Sequence, residues 1–90
     1  KLAWTDKNWA AAGLYFEMAT EHDPTHANAH YGLGMYYRIK GDQARDRKLI
    51  DRAGLQFQAA LRAEPDHKEA RKALDDLTAR GWKPPPPATK

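Results

Sequence analysis

The sequence predicts an all-α fold of antiparallel helix-turn-helix repeats, and three observations lead there. Sixteen alanines stand against no valine and two isoleucines, Ile39 and Ile50, a composition rich in helix formers and poor in the β-branched residues that favour sheets. Apolar residues recur at separations of three and four, the period of one helix face. One pattern also occurs twice: Ala12, Phe16, Ala19 and Pro24 are matched in type and spacing by Ala53, Phe57, Ala60 and Pro65. The flanks agree, since Asp23-Pro24-Thr25-His26 pairs with Glu64-Pro65-Asp66-His67.

Taken in chain order, Leu2-Ala3-Trp4 reads as the last turn of a helix and residues 5–8 as its loop. The first copy of the pattern then forms a helix that ends before Pro24, because proline has no N–H to donate and its ring clashes with the preceding turn. Small alanines around one phenylalanine let a second helix approach closely. That second helix is expected over residues 27–40, with Gly41-Asp42 as its stop. The second copy predicts a helix over about residues 43–64. After Pro65 a last helix is expected from about His67 to Arg80, with Lys68, Arg71, Lys72, Asp75 and Asp76 making its outer face polar, as a terminal cap requires. Gly81 is its natural stop, and Trp82 is placed to fold back onto it. The four prolines from Pro84 form an extended, stiff segment. The expected division is a helical domain over residues 1–81 and a proline-rich tail or linker over 82–90.

Within the second helix His30, Leu33, Gly34 and Tyr37 follow the spacing W-x2-L-G-x2-Y, with histidine in the tryptophan place, and each proline closes an A-x3-F pattern. On these residues the chain resembles the tetratricopeptide repeat family over about residues 5–80. The resemblance implies a fragment of an α-solenoid: half a repeat, one complete repeat and a capping helix. The chain departs from the family at the last helix, where Asp75 and Thr78 stand in the places of glycine and tyrosine, and in the length of the repeat. Its two prolines lie 41 residues apart, whereas the family repeat is about 34, so about seven residues are inserted, most naturally at 42–48. Seven residues are about two helical turns, so the insertion is expected to lengthen the following helix without turning its face. It carries Arg45, Arg47 and Lys48 beyond the stack, within reach of a partner.

The resemblance also implies that the first helix of each pair lines a concave face. Asn28, Tyr31, Met35 and Arg38, spaced by 3, 4 and 3, are expected there, joined by Glu69, Lys72 and Asp76 of the cap. Tyrosine, methionine and arginine suit a peptide groove: an amphipathic ring, an adaptable apolar chain and a fork of donors. Some family members clamp chaperone C-termini with lysine and asparagine, and Tyr31, Gly32 and Met35 cannot form that charged clamp.

Composition narrows the remaining functions. With 90 residues, folding buries only about 60 % of the chain's surface, too little for a large enclosed active site. There is no cysteine and no serine, and no glycine-rich phosphate loop or paired carboxylate in a recognisable cleft. His26 and His30 lie four apart, a spacing able to share a metal, but one sits at a helix start and the other in the aromatic place, so neither a metal nor another cofactor is expected. Net charge is +3. Residues 1–37 carry two lysines against four acids, and the basic excess is densest from Arg38 to Arg52, where Asp42, Asp46 and Asp51 interleave. The expected function is therefore a non-catalytic binding module for a protein or peptide. The alternative is a subunit docked in a larger assembly or homo-oligomer, and nucleic-acid binding through the basic stretch is disfavoured. No apolar run approaches the roughly 20 residues of a membrane span; the chain reads as soluble, cytoplasmic by default. Because it opens on Lys1 rather than methionine, it also reads as a piece of something longer.

Overall fold

A computed structural model describes residues 6–84, with side chains described from residue 11 onward. Four helices follow one another: α1 Asp6–His22, α2 Ala27–Ala44, α3 Arg47–Ala63 and α4 Lys68–Ala79. Among the described residues there is no strand. Each helix packs antiparallel against the next in the chain, and α2 and α4 also meet across α3. The expected turn at Leu2-Ala3-Trp4 and the prolines beyond Pro84 lie outside the described residues. Asp6, Lys7 and Asn8, expected in a loop, open α1 instead. Nothing in them breaks a helix, and the alanine run behind propagates it.

Both proline boundaries behave as expected. Asp23 N–H reaches Ala19 O at 2.9 Å and Glu64 N–H reaches Ala60 O at 2.8 Å, the same closing bond in each copy. After each proline a histidine caps the next helix. His26 Nδ1 accepts from Ala29 N–H, and His67 Nδ1 from Ala70 N–H, both at 3.1 Å. Each satisfies one of the free amides that open a helix.

The end of α2 differs from expectation. Gly41 does not stop the helix, which runs on to Ala44. An added Cβ at Gly41 would stand 2.8 Å from the tip of Ile50, so this glycine admits a side chain of α3 rather than turning the chain. The left-handed residue is Arg45, with φ 52° and ψ 44°. Asp46 N–H then bonds Gly41 O at 2.9 Å, completing a Schellman-type end. Asp46 also caps α3 through Oδ1, which accepts from Lys48 N–H at 2.9 Å. Two residues thus connect α2 and α3. The extra length between the prolines is helical and is shared by both helices of the hairpin, not given to a single protruding helix from Gln43.

Rings set over glycines hold the helices together. Phe57 of α3, fully buried, covers Gly34 of α2. Phe16 of α1 covers Gly32 on the same helix, and Tyr36 of α2 covers Gly13 of α1. On α4 the residues Ala70, Ala73 and Leu77 are buried against α3, while Lys68, Arg71, Lys72, Asp75 and Asp76 are exposed, as a cap requires. α4 ends in a second Schellman motif: Gly81 has φ +101°, its N–H bonds Thr78 O, and Trp82 N–H bonds Leu77 O, both at 3.0 Å. This turn sends the Trp82 ring onto Gly54 of α3, where it is 8 % exposed. Trp82, which composition assigns to the tail, is therefore part of the packed core.

Two substitutions test this packing. Gly34→Ala places a methyl 2.5 Å from the Phe57 ring and 3.1 Å from Ala53 O; with nowhere for a fully buried ring to move, it should lower stability by at least about 1–3 kcal/mol in chemical denaturation. Arg45→Gly should raise stability by up to about 1 kcal/mol, because glycine adopts the left-handed region without the Cβ clash.

Candidate partner-binding groove

The parallel placement of α2 and α4 leaves a cleft of about 190 Å³ between them, lined by Tyr31, Met35 and Arg38 from α2 and by Glu69, Lys72, Ala73 and Asp76 from α4. Six of the seven residues expected on the concave face thus come together from two helices. Asn28 stands apart from this lining. Its Oδ1 accepts from His67 Nε2 at 2.6 Å, tying the start of α2 to the start of α4 at one end of the cleft.

That bond defines the state of His67. Because Nδ1 already accepts from Ala70 N–H, the ring proton is on Nε2, and His67 is a neutral, buried bridge. The Glu69 carboxylate 3.7 Å from Nδ1 is consequently not an ion-pair partner. Tyr31 lies over His67 with centroids 5.4 Å apart and beside Phe57 at 6.0 Å. Tyr31 and Met35 are half-buried against the core and present their remaining surface to the cleft. They are at once packing residues and floor. The rim is charged: Arg38 and Lys72 face Glu69 and Asp76, with Arg38 3.7 Å from Asp42 one turn further on.

His30, in the tryptophan place of the repeat, works by hydrogen bonds rather than by apolar packing. Its Nε2 donates to Pro24 O at 2.6 Å and its Nδ1 meets the Gln56 side-chain amide at 2.8 Å, binding the α1–α2 turn to α3. His26 and His30, four apart in sequence, therefore direct their ring nitrogens into separate structural bonds. Tyr37 donates to Glu17 at 3.0 Å; burial pushes its phenol pKa up, and the bond to Glu17 adds to the shift.

The basic tip lies away from the groove. Arg45, Arg47 and Lys48 are all exposed around the α2–α3 turn. Arg47 does not stand clear of the stack, because the C-terminal turn shares a cleft with it. Arg80 donates to Asp42 at 2.6 Å, a bond that holds its guanidinium pKa above the ordinary value. Trp82 Nε1 donates to Asp51 at 2.8 Å. This clasp was only half legible: Gly81-Trp82 marks a turn and a ring to bury, but nothing local marks Asp51 and Asp42 as its partners.

Comparison with known proteins comes to one finding: residues 15–48 match the family model of the tetratricopeptide repeat. The match begins within α1, includes all of α2 and ends at the second residue of α3. Neither the curated proteins nor the solved structures compared with the chain contain a match. Among the described residues no helix is long and apolar enough to cross a membrane, and no cluster of three metal-ligating side chains is present.

His67→Ala removes both the α4 cap and the partner of Asn28, and should cost about 0.5–2 kcal/mol in urea unfolding, with His67→Asn recovering most of it because asparagine caps well. A pH dependence follows from Asp23. Its carboxylate accepts from Thr25 Oγ1 at 2.7 Å and from Thr25 N–H at 3.1 Å, and these bonds hold its pKa below the usual carboxylate range. The stabilisation is present at neutral pH, where Asp23 is ionised in folded and unfolded chains alike, and is lost as pH falls through the acidic range. Thermal midpoints of Asp23→Ala should accordingly converge on those of the parent chain as pH drops.

Proposed function

The chain carries a tetratricopeptide repeat at residues 15–48, and from that premise we propose that it recruits or scaffolds a partner protein or peptide through the groove between α2 and α4. Repeats of this family are in general protein-interaction modules, typically without catalysis of their own. The observation that carries the reading is the convergence of Tyr31, Met35 and Ala73 as an apolar floor with Arg38, Lys72, Glu69 and Asp76 as a rim of both charge signs. Apolar anchoring surrounded by polar groups is how interfaces divide affinity from specificity.

Tyr31 and Met35 also pack on the core, so truncating them would confound binding with folding. The rim does not have this difficulty. Peptides enriched from a random library by panning against the chain should lose binding on Lys72→Glu and on Asp76→Lys, while stability changes by less than about 0.5 kcal/mol, as at other exposed positions. Peptides that bind both variants as well as the parent would place recognition elsewhere.

A second reading, permanent docking in an assembly, draws on α1. Leu14, Tyr15 and Met18 are 59 %, 66 % and 61 % exposed, and α1 has only α2 beside it among the described helices. Sedimentation of the chain as a monomer at every concentration would count against obligate self-assembly.

A further inference from the structure

We propose that the cleft between the α2–α3 tip and the C-terminal clasp is a second recognition site, for an acidic peptide segment carrying an apolar side chain. The proposal shares with the groove only the premise that the chain binds proteins, and the two sites have no lining residue in common.

The cleft has a volume of about 230 Å³, with Ile50, Leu77 and Trp82 as its apolar floor and Arg47, Arg80 and Asp51 on its walls. That is below the roughly 300–1,000 Å³ of small-molecule pockets and suits one inserted side chain. Its charge follows from how the tip is built. All three acids interleaved with the basic residues are committed to structure: Asp42 accepts from Arg80, Asp46 caps α3, and Asp51 accepts from Trp82 Nε1. Among the described residues, no carboxylate lies within ion-pair distance of Arg45, Arg47 or Lys48. Arg47 thus stands on the cleft wall without an acid partner, with Arg45 and Lys48 exposed on the adjoining turn, while Asp51 of the lining is engaged by Trp82 Nε1. An incoming carboxylate meets free donors there, and Arg47 offers it a bidentate fork.

The same geometry disfavours nucleic acid. A phosphate backbone is held by a row of free cations, but Arg52 is set against the Tyr37 ring, 5.8 Å from its centroid, and Arg38 pairs with Asp42. The floor offers a sugar–phosphate chain nothing, whereas an aliphatic side chain gains from being buried on Ile50, Leu77 and Trp82. Arg45 adds a separate sign. It holds a left-handed conformation, φ 52°, that glycine would adopt without strain, and what it contributes to that position is an exposed cation two residues from Arg47 of the cleft wall.

The test uses the full chain and a fluorescein-labelled pentapeptide of two glutamates, a leucine and two glutamates. Saturable binding should appear below about 1 mM and shift the Trp82 indole N–H cross-peak in a nitrogen-15 correlation spectrum. Arg47→Glu, which places an acid favourably in the first turn of α3, should weaken binding at least tenfold without unfolding the chain. Arg45→Gly should weaken binding while raising the thermal midpoint. Lys72→Glu, in the groove, should leave it unchanged, so failure of the two sites is told apart. The proposal is overturned by absence of saturable binding, by equal affinity for a peptide with glycine in place of leucine, by undiminished binding to Arg47→Glu, or by a single-stranded oligonucleotide displacing the peptide at physiological salt.

Discussion

An aromatic ring seated where a facing helix lacks a Cβ is the contact on which the rest of this structure depends. Phe16 on Gly32, Tyr36 on Gly13, Phe57 on Gly34 and Trp82 on Gly54 are four instances of it. Each lets two backbones come closer than side chains ordinarily permit, and each buries a large apolar group in a chain too small for a deep core. Because α2 receives Phe16 at Gly32 and Phe57 at Gly34, it is gripped from both sides. α3 is gripped likewise, by α2 at Phe57 and by the returning Trp82. The groove follows from this arrangement: with α3 held between them, α2 and α4 run side by side and their outer residues face the same cleft.

Hydrogen bonds set what the rings leave free. The Asn28–His67 bond joins the starts of α2 and α4, one end of the groove. At the other end Asp42 lies between Arg38 of the groove rim and Arg80 of the clasp, 3.7 Å from the first and 2.6 Å from the second. A single carboxylate thus touches a lining residue of each candidate site. Neither ion pair of Asp42 contributes much to stability, since surface pairs are typically worth about 0–1 kcal/mol. Their effect is on orientation, in that Asp42 draws the C-terminal turn toward the lengthened hairpin and thereby shapes the second cleft.

Much of the candidate groove was legible from residue spacing. Tyr31, Met35 and Arg38 recur at helical intervals, and Lys72 lies on the outer side of a helix whose inner side is Ala70, Ala73 and Leu77. Asn28, expected on the same face, is instead consumed by His67, 39 residues away in sequence and adjacent only in space. Likewise His30 occupies an aromatic place in the pattern, yet its neighbours Pro24 and Gln56 present polar atoms, so the ring bonds rather than packs. Periodicity says which way a side chain points; it does not say whether a donor or a methyl waits there.

The sequence by itself determined the four helices, the proline at which each copy of the pattern ends, the polar outer face of the last helix and the repeat that relates α1 to α3. These follow from local properties: a missing N–H, an alternation of apolar and polar residues, and one motif written twice. Only the tertiary structure decided that Gly41 continues α2 while Arg45 ends it, that the added length is divided between α2 and α3, and that Trp82 seats on Gly54 of α3 with Asp51 as its acceptor. The physical reason is common to all three. A glycine can end a helix or admit a neighbour's side chain, and the outcome turns on what arrives from across the fold: Ile50 comes to Gly41 and Trp82 to Gly54, whereas at Gly81 nothing lies within 4 Å and the chain is free to turn.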